Sequence, residues 1–133
     1  NVIPGELVLD LNFRFGTAST AEDLMQAVEA VLVRHDIDYR IQWSLSGAPF
    51  HTPPGELIAA VQAAVESVRG IRPIPDTGGG TSDGRFIAPL GAQVVELGVV
   101  NASIHKIDEH VRVDDLAALV EIYRSIGERL LVA

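Results

Sequence analysis

Hydrophobic and polar residues alternate along two stretches of the first fifty residues. Over residues 6–15 the apolar side chains take every second position, at Leu7, Leu9, Leu11, Phe13 and Phe15. Residues 39–46 repeat the pattern with Tyr39, Ile41, Trp43 and Leu45. Because successive strand residues point to opposite faces, both stretches predict half-buried strands. Between them, the capping-box residues Ser19-Thr20-Ala21-Glu22-Asp23 predict the start of an amphipathic helix, which gives a two-layer strand–helix–strand unit.

A Pro- and Gly-rich segment, residues 47–55, predicts a boundary after this unit. Within this segment, Thr52 is predicted to cap the next helix, which has Pro53 at its first position and Gly70 at its end. Residues 94–100 form a short apolar run typical of a buried strand, and a last helix is predicted after Asp115. Helices beside short buried strands predict the α/β class.

Composition narrows the function classes. The net charge of −8 argues against nucleic acid as a partner, because phosphate binding needs a basic face. With no cysteine, any metal would be held by His, Asp or Glu, which suits a hydrolytic site better than a structural zinc. No apolar run approaches the roughly 20 residues that cross a bilayer. Residues 1–6 do not resemble a signal peptide, so a cytoplasmic location is predicted.

The glycine-rich loop, residues 77–85, is the first candidate site. Three consecutive glycines end at Gly80 and are followed by Thr81, Ser82, Asp83 and Arg85. Glycine permits backbone conformations in which several N–H groups converge on an anion, so the loop suits a carboxylate ligand. The sequence is not a Walker phosphate loop, since no Gly-Lys-Ser/Thr follows. A flexible connector is the alternative interpretation.

Two further candidates are His105 and Arg14. His105 follows the predicted strand at 94–100, and ligands of open α/β sheets gather at the carboxyl ends of strands. A structural histidine is the alternative, while a local metal site with Asp108, Glu109 or His110 is disfavoured because the spacing matches no zinc signature. Arg14 lies on the polar face of the first strand, where it suits carboxylate binding or, alternatively, a solvated face.

Five segments together resemble the succinyl-diaminopimelate desuccinylases, within the larger family of metal-dependent aminoacylases and carboxypeptidases. They are residues 1–7 (NVIPGEL), 12–15 (NFRF), 45–47 (LSG), 78–86 (GGGTSDGRF) and 101–106 (NASIHK). They occur in family order from end to end. The Thr-Ser-Asp-Gly-Arg run is the most specific, because acetylornithine deacetylases and carboxypeptidases usually lack it.

The resemblance implies two domains. Residues 1–49 would be the second half of an inserted two-layer α+β dimerisation domain, and residues 50–133 the closing part of a catalytic α/β sheet domain. It also implies a homodimer and hydrolysis of N-succinyl-L,L-2,6-diaminopimelate to succinate and L,L-diaminopimelate, in lysine and diaminopimelate biosynthesis. Two Zn²⁺ ions, or Co²⁺, would activate the attacking water while a glutamate acts as general base.

Site residues follow from the resemblance position by position. His105 matches a ligand of one of the two metals, and the matches to substrate-binding positions are Arg14, Ser46, Gly80, Thr81 and Asn101. The His-x-Asp and Glu-Glu pairs that supply the other ligands and the general base are absent from these 133 residues. The chain alone is therefore expected to be inactive, with no catalytic residue of its own. Two alternatives stay open, namely a non-catalytic oligomerisation or binding module and a sister N-acyl amino acid deacylase such as acetylornithine deacetylase.

Overall fold

The computed structural model describes residues 1–78, 80 and 82–132. The chain divides into two compact units, Asn1–Pro49 and Phe50–Ala133, called here the first and the second unit. None of the helices in the described residues is long and apolar enough to cross a membrane.

Helix α1, Ala21–Arg34, is the regular element of the first unit. The predicted capping box is confirmed, since Asp23 N–H donates to Thr20 Oγ1 (3.0 Å) and Thr20 N–H donates to Asp23 Oδ2 (3.1 Å). At the other end Asp36 turns the chain with a left-handed φ of 53°. Ile37 N–H then donates to Leu32 O (3.1 Å), which is the hydrogen bond of a Schellman motif.

The carboxylate of Glu29 ties the segment after α1 back onto the helix. It accepts hydrogen bonds from Tyr39 Oη (3.2 Å) and from Trp43 Nε1 (3.4 Å). Trp43 also lies against Phe13, with ring centroids 6.4 Å apart. Burial, followed by the negative charge and hydrogen bond of Glu29, raises the pKa of Tyr39 above its ordinary value of 10.0.

The predicted strands are wrong. Residues 6–15, 39–46 and 94–100 have neither helix nor strand, and the regular structure of the described residues is helical. The α/β prediction for the chain, as a catalytic sheet domain with part of a two-layer α+β domain, is therefore corrected. Alternation dictates where side chains would point, but a strand also requires a neighbour that pairs with its N–H and C=O groups. These segments receive no such ladder from the described residues, and Leu7 is left 81% exposed.

The second unit contains α2, Glu56–Arg69, a short helix α3, Gly84–Ile87, a 3₁₀ turn, Ala88–Leu90, and α4, Val113–Leu131. Gly70 ends α2 as predicted, with a left-handed φ of 68° and its N–H donating to Glu66 O (2.9 Å). The predicted start of α2 is wrong. Its N-cap is Gly55 rather than Thr52, because the Thr52 hydroxyl is engaged elsewhere in the unit.

The core of the second unit lies where α2 packs on α4. Its buried side chains are Val61, Ala64 and Val65 of α2 and Ile122 of α4. Ala64 is fully buried, and its small side chain lets α4 approach α2 closely. An ion pair between Arg69 and Asp115 (2.8 Å) joins the end of α2 to the start of α4, so the two helices run antiparallel.

Residues 93–97 are hydrogen-bonded to both helices of this pair and to Thr52, which precedes α2. Thr52 Oγ1 donates to Val94 O (2.5 Å) and accepts the Val94 N–H (3.2 Å). Gln93 Oε1 accepts the Leu57 N–H (3.3 Å) near the start of α2, and Tyr123 Oη of α4 donates to Leu97 O. These bonds thus hold the chain in place shortly before Asn101 and His105.

Candidate substrate and metal site

The glycine-rich loop is held against residues 94–96. Ser82 Oγ donates to the Glu96 carboxylate and accepts the Gly84 N–H (3.0 Å). A Cβ at Gly84 would lie 2.7 Å from Val94 Cγ1, so this close approach requires glycine. Gly80, a predicted substrate-binding residue, is exposed. Thr81, the other predicted residue in the loop, lies outside the described residues.

Arg85 is a residue of this loop to which the sequence assigned no role of its own. Its guanidinium carbon lies 4.7 Å from the centroid of the Phe86 ring, within cation–π distance. Its Nε is buried and has no hydrogen-bond partner among the residues that the structure describes. In the sequence, the only indication that Arg85 could belong to the site was its position at the end of the Thr-Ser-Asp-Gly-Arg run.

Residues 101–110, called here the His105 loop, form a tight non-helical turn. Ile104 N–H donates to Asn101 O (3.1 Å), which brings the backbone of Asn101 close to that of Ile104, the residue before His105. His105 and Asp108 both have left-handed backbones, with φ of 59° and 60°. Asn101 and His105 are both exposed, so their side chains are open to a ligand.

Gly80, Asn101 and His105 all belong to the second unit. The Ser82–Glu96 hydrogen bond joins the glycine-rich loop to the segment that leads into Asn101 and the His105 loop. Arg14 and Ser46 belong to the first unit, where both are exposed on non-regular backbone. Neither lies in a strand, so the predicted polar strand face at Arg14 is not present.

His105 fits a metal ion as a single ligand. Its imidazole is exposed, and neither ring nitrogen is engaged in a hydrogen bond with the described part of the chain. A complete site is not formed, because the described residues contain no group of three His, Asp or Glu side chains placed to share a metal. The local metal site with Asp108, Glu109 or His110, which the spacing disfavoured, loses further support. His110 Nδ1 lies 2.6 Å from Asp108 O and is engaged in that hydrogen bond.

Comparison with known proteins identifies the family. Residues 4–129 match the family model described as peptidase family M20/M25/M40. The chain belongs to this family. It is 63% identical over 131 residues to the succinyl-diaminopimelate desuccinylase of Alkalilimnicola ehrlichii. It is 58% identical over 131 residues to that of Methylococcus capsulatus and 59% identical over 132 residues to that of Thioalkalivibrio sulfidiphilus.

These alignments take in 98 to 99% of the chain but 35% of the length of each relative. The chain thus spans about a third of the curated relatives that it matches. The resemblance drawn from the five sequence segments is confirmed, and with it membership in a family of metal-dependent hydrolases. The roles of individual residues are not tested by this similarity and stay predictions.

Proposed function

We propose that the full-length protein hydrolyses N-succinyl-L,L-2,6-diaminopimelate to succinate and L,L-diaminopimelate. The proposal is carried by one observation, the identity of 58 to 63% over nearly the whole chain to three enzymes named succinyl-diaminopimelate desuccinylase. The reaction belongs to lysine and diaminopimelate biosynthesis, and we propose a cytoplasmic location for it.

In this proposal the chain supplies part of the substrate site. The substrate carries several carboxylates, which are best bound by a guanidinium, by hydroxyls and by backbone N–H groups. The residues that we assign to this role are Arg14, Ser46, Gly80, Thr81 and Asn101. The exposure of Gly80 and Asn101 in the second unit supports their part in it.

We assign His105 as one ligand of a two-metal centre of zinc or cobalt. Its exposed imidazole, without a hydrogen bond to the described residues, supports this role. When bound, such metal ions provide a water of lowered pKa and a Lewis acid for the amide carbonyl. The other ligands and the general base are assigned to the two thirds of the protein outside this chain, so the 133 residues alone are expected to be inactive.

The two units are assigned to two domains of a homodimeric enzyme. Residues 1–49 would belong to the dimerisation domain and residues 50–133 to the catalytic domain. High exposure of apolar side chains in the first unit, such as Ile3 (90%) and Val8 (84%), supports the presence of a covering surface in the assembled enzyme.

The direct test is His105→Ala in the full-length protein, with metal content and turnover measured together. We expect the variant to lose one of two metal ions per chain and most of its turnover of succinyl-diaminopimelate. His51→Ala is the matched control, because His51 is an exposed histidine of the same unit with no assigned role. Retention of both metals by His105→Ala would contradict the ligand assignment.

Substrate comparison tests the reaction itself. The full-length protein is assayed on succinyl-diaminopimelate and on acetylornithine under the same conditions. A preference for acetylornithine would assign the protein to the sister deacylases, and turnover of neither amide by zinc-loaded protein would favour a non-catalytic module. Either result would overturn the proposal.

A further inference from the structure

A serine hydroxyl closes the His105 loop. Ser103 Oγ donates to His110 O (2.7 Å) and accepts the His110 N–H (3.0 Å). One side chain therefore satisfies both backbone groups of a residue seven positions further along the chain. Lys106 reinforces the turn, as its Nζ donates to Ala102 O (2.8 Å) and its N–H to Ser103 O (3.1 Å). His105 lies between the two ends that these bonds tie together.

The backbone of His105 needs this restraint. Its left-handed φ of 59° is uncommon for a residue with a Cβ, and Asp108 adds a second such position at 60°. A backbone of this kind persists only where its surroundings impose it. The backbone fixes the position from which the imidazole starts and the direction of its Cα–Cβ bond, while the ring turns about χ1 and χ2 from there. Whatever holds the backbone of the His105 loop therefore limits the positions that the ring can reach.

We propose that Ser103 is a positioning residue for the metal ligand His105. The inference rests on the proposed function, in which His105 binds zinc. By closing the loop before the metal binds, Ser103 reduces the conformational freedom that metal binding would otherwise remove. Loss of the Ser103 hydroxyl should therefore weaken the binding of zinc by His105. Partners that orient metal ligands typically contribute 10- to 100-fold to metal affinity, and we expect about tenfold here because Ser103 acts through the backbone.

The test uses the full-length, metal-depleted protein and its Ser103→Ala and Ser103→Thr variants. The zinc dissociation constants are measured by competition with a chromogenic chelator, and the visible absorption is recorded after cobalt loading. We expect Ser103→Ala to bind one of two zinc ions about tenfold more weakly and to show an altered cobalt spectrum. Ser103→Thr keeps the hydroxyl and should restore both readouts. Ser125→Ala is the control, since Ser125 is a half-buried serine whose hydroxyl bonds Arg129 within α4.

Two results on the variants would overturn the inference. One is wild-type zinc affinity in Ser103→Ala, and the other is an equal loss in Ser103→Thr and Ser103→Ala, which would show that the hydroxyl is not responsible. A measurement on the unmutated protein covers the case in which Ser103→Ala does not fold. The closed loop predicts a His110 amide that is protected from hydrogen exchange without metal, and rapid exchange there would equally refute it. Failure of the proposed function would instead show in the wild type, as missing zinc or missing turnover.

Discussion

Replacing Thr52 with valine removes two hydrogen bonds while keeping nearly the same side-chain shape. In the second unit the Thr52 hydroxyl donates to Val94 O (2.5 Å) and accepts the Val94 N–H (3.2 Å). Both residues are half-buried, so water replaces the lost partner only in part. A protein hydrogen bond contributes about 1 kcal/mol net, and the two together therefore predict a loss of about 2 kcal/mol in the free energy of unfolding.

The assay is urea unfolding of the 133-residue chain followed by far-UV circular dichroism, which reports on α1, α2 and α4 together. We expect the Thr52→Val midpoint to fall with an unchanged denaturant slope, because the surface exposed on unfolding stays the same. Hydrogen exchange at the Val94 amide should accelerate as well. Thr52→Ser is the matched control, since it keeps the hydroxyl and removes a methyl group worth about 0.8 kcal/mol or less at a half-buried position.

The reasoning would be refuted by a Thr52→Val protein as stable as the wild type. It would be refuted equally if Thr52→Ser lost as much stability as Thr52→Val, since the hydroxyl would then not be the stabilising group. A confirmed loss would have a consequence for the site. Residues 93–97 lead into Asn101 and bond the glycine-rich loop through Glu96, so their detachment should disturb both candidate segments.

Three further predictions follow from other contacts. Ile122→Ala should lower the free energy of unfolding in urea by about 2–5 kcal/mol, because it leaves a cavity between α2 and α4. The control Val120→Ala, at a position 66% exposed, should change it by less than about 0.5 kcal/mol. Equal effects of the two variants would contradict the core assignment. Gly70→Ala should cost about 1 kcal/mol by thermal unfolding, since a Cβ is strained at a φ of 68°, and an unchanged melting temperature would contradict the left-handed cap. Glu29→Gln should lower the Tyr39 pKa toward 10.0 in an NMR titration of the tyrosine ring, although burial, the larger cause, remains. Because the pKa of Tyr39 is raised in the folded state, its contribution to folding stability is present below the ordinary tyrosine pKa and is lost as pH rises through the folded-state value. An unchanged Tyr39 titration in Glu29→Gln would exclude Glu29 as a cause of the raised pKa.

The sequence determined those features that depend on residues a few positions apart. Thr20 and Asp23 form a capping box across three residues, and Gly70 ends α2 through its own backbone conformation. Such interactions are local, so they can be recognised without knowing what lies nearby in space. Family membership was predictable for another reason, because five short motifs in the right order identify a relative even where the fold is misjudged.

The candidate site was predictable only in part. The two segments with Gly80 and His105 were recognised from residue types, and the structure joins the glycine-rich loop to the approach of the His105 loop through Ser82 and Glu96. The Ser103–His110 closure was not foreseen, because hydroxyl bonds to distant backbone groups leave no periodic signal. The burial of Arg85 Nε was not foreseen either, because it depends on how the surrounding residues pack.

Only the tertiary structure decided the role of Thr52 and whether the predicted strands form. Thr52 looks like a helix cap in sequence, yet its hydroxyl bonds Val94, 42 residues further along the chain. The alternation at residues 6–15 indicates which side chains share a face, but a strand exists only when its backbone groups meet a partner. Pairing between distant segments depends on the whole fold. A pattern within one segment cannot provide it.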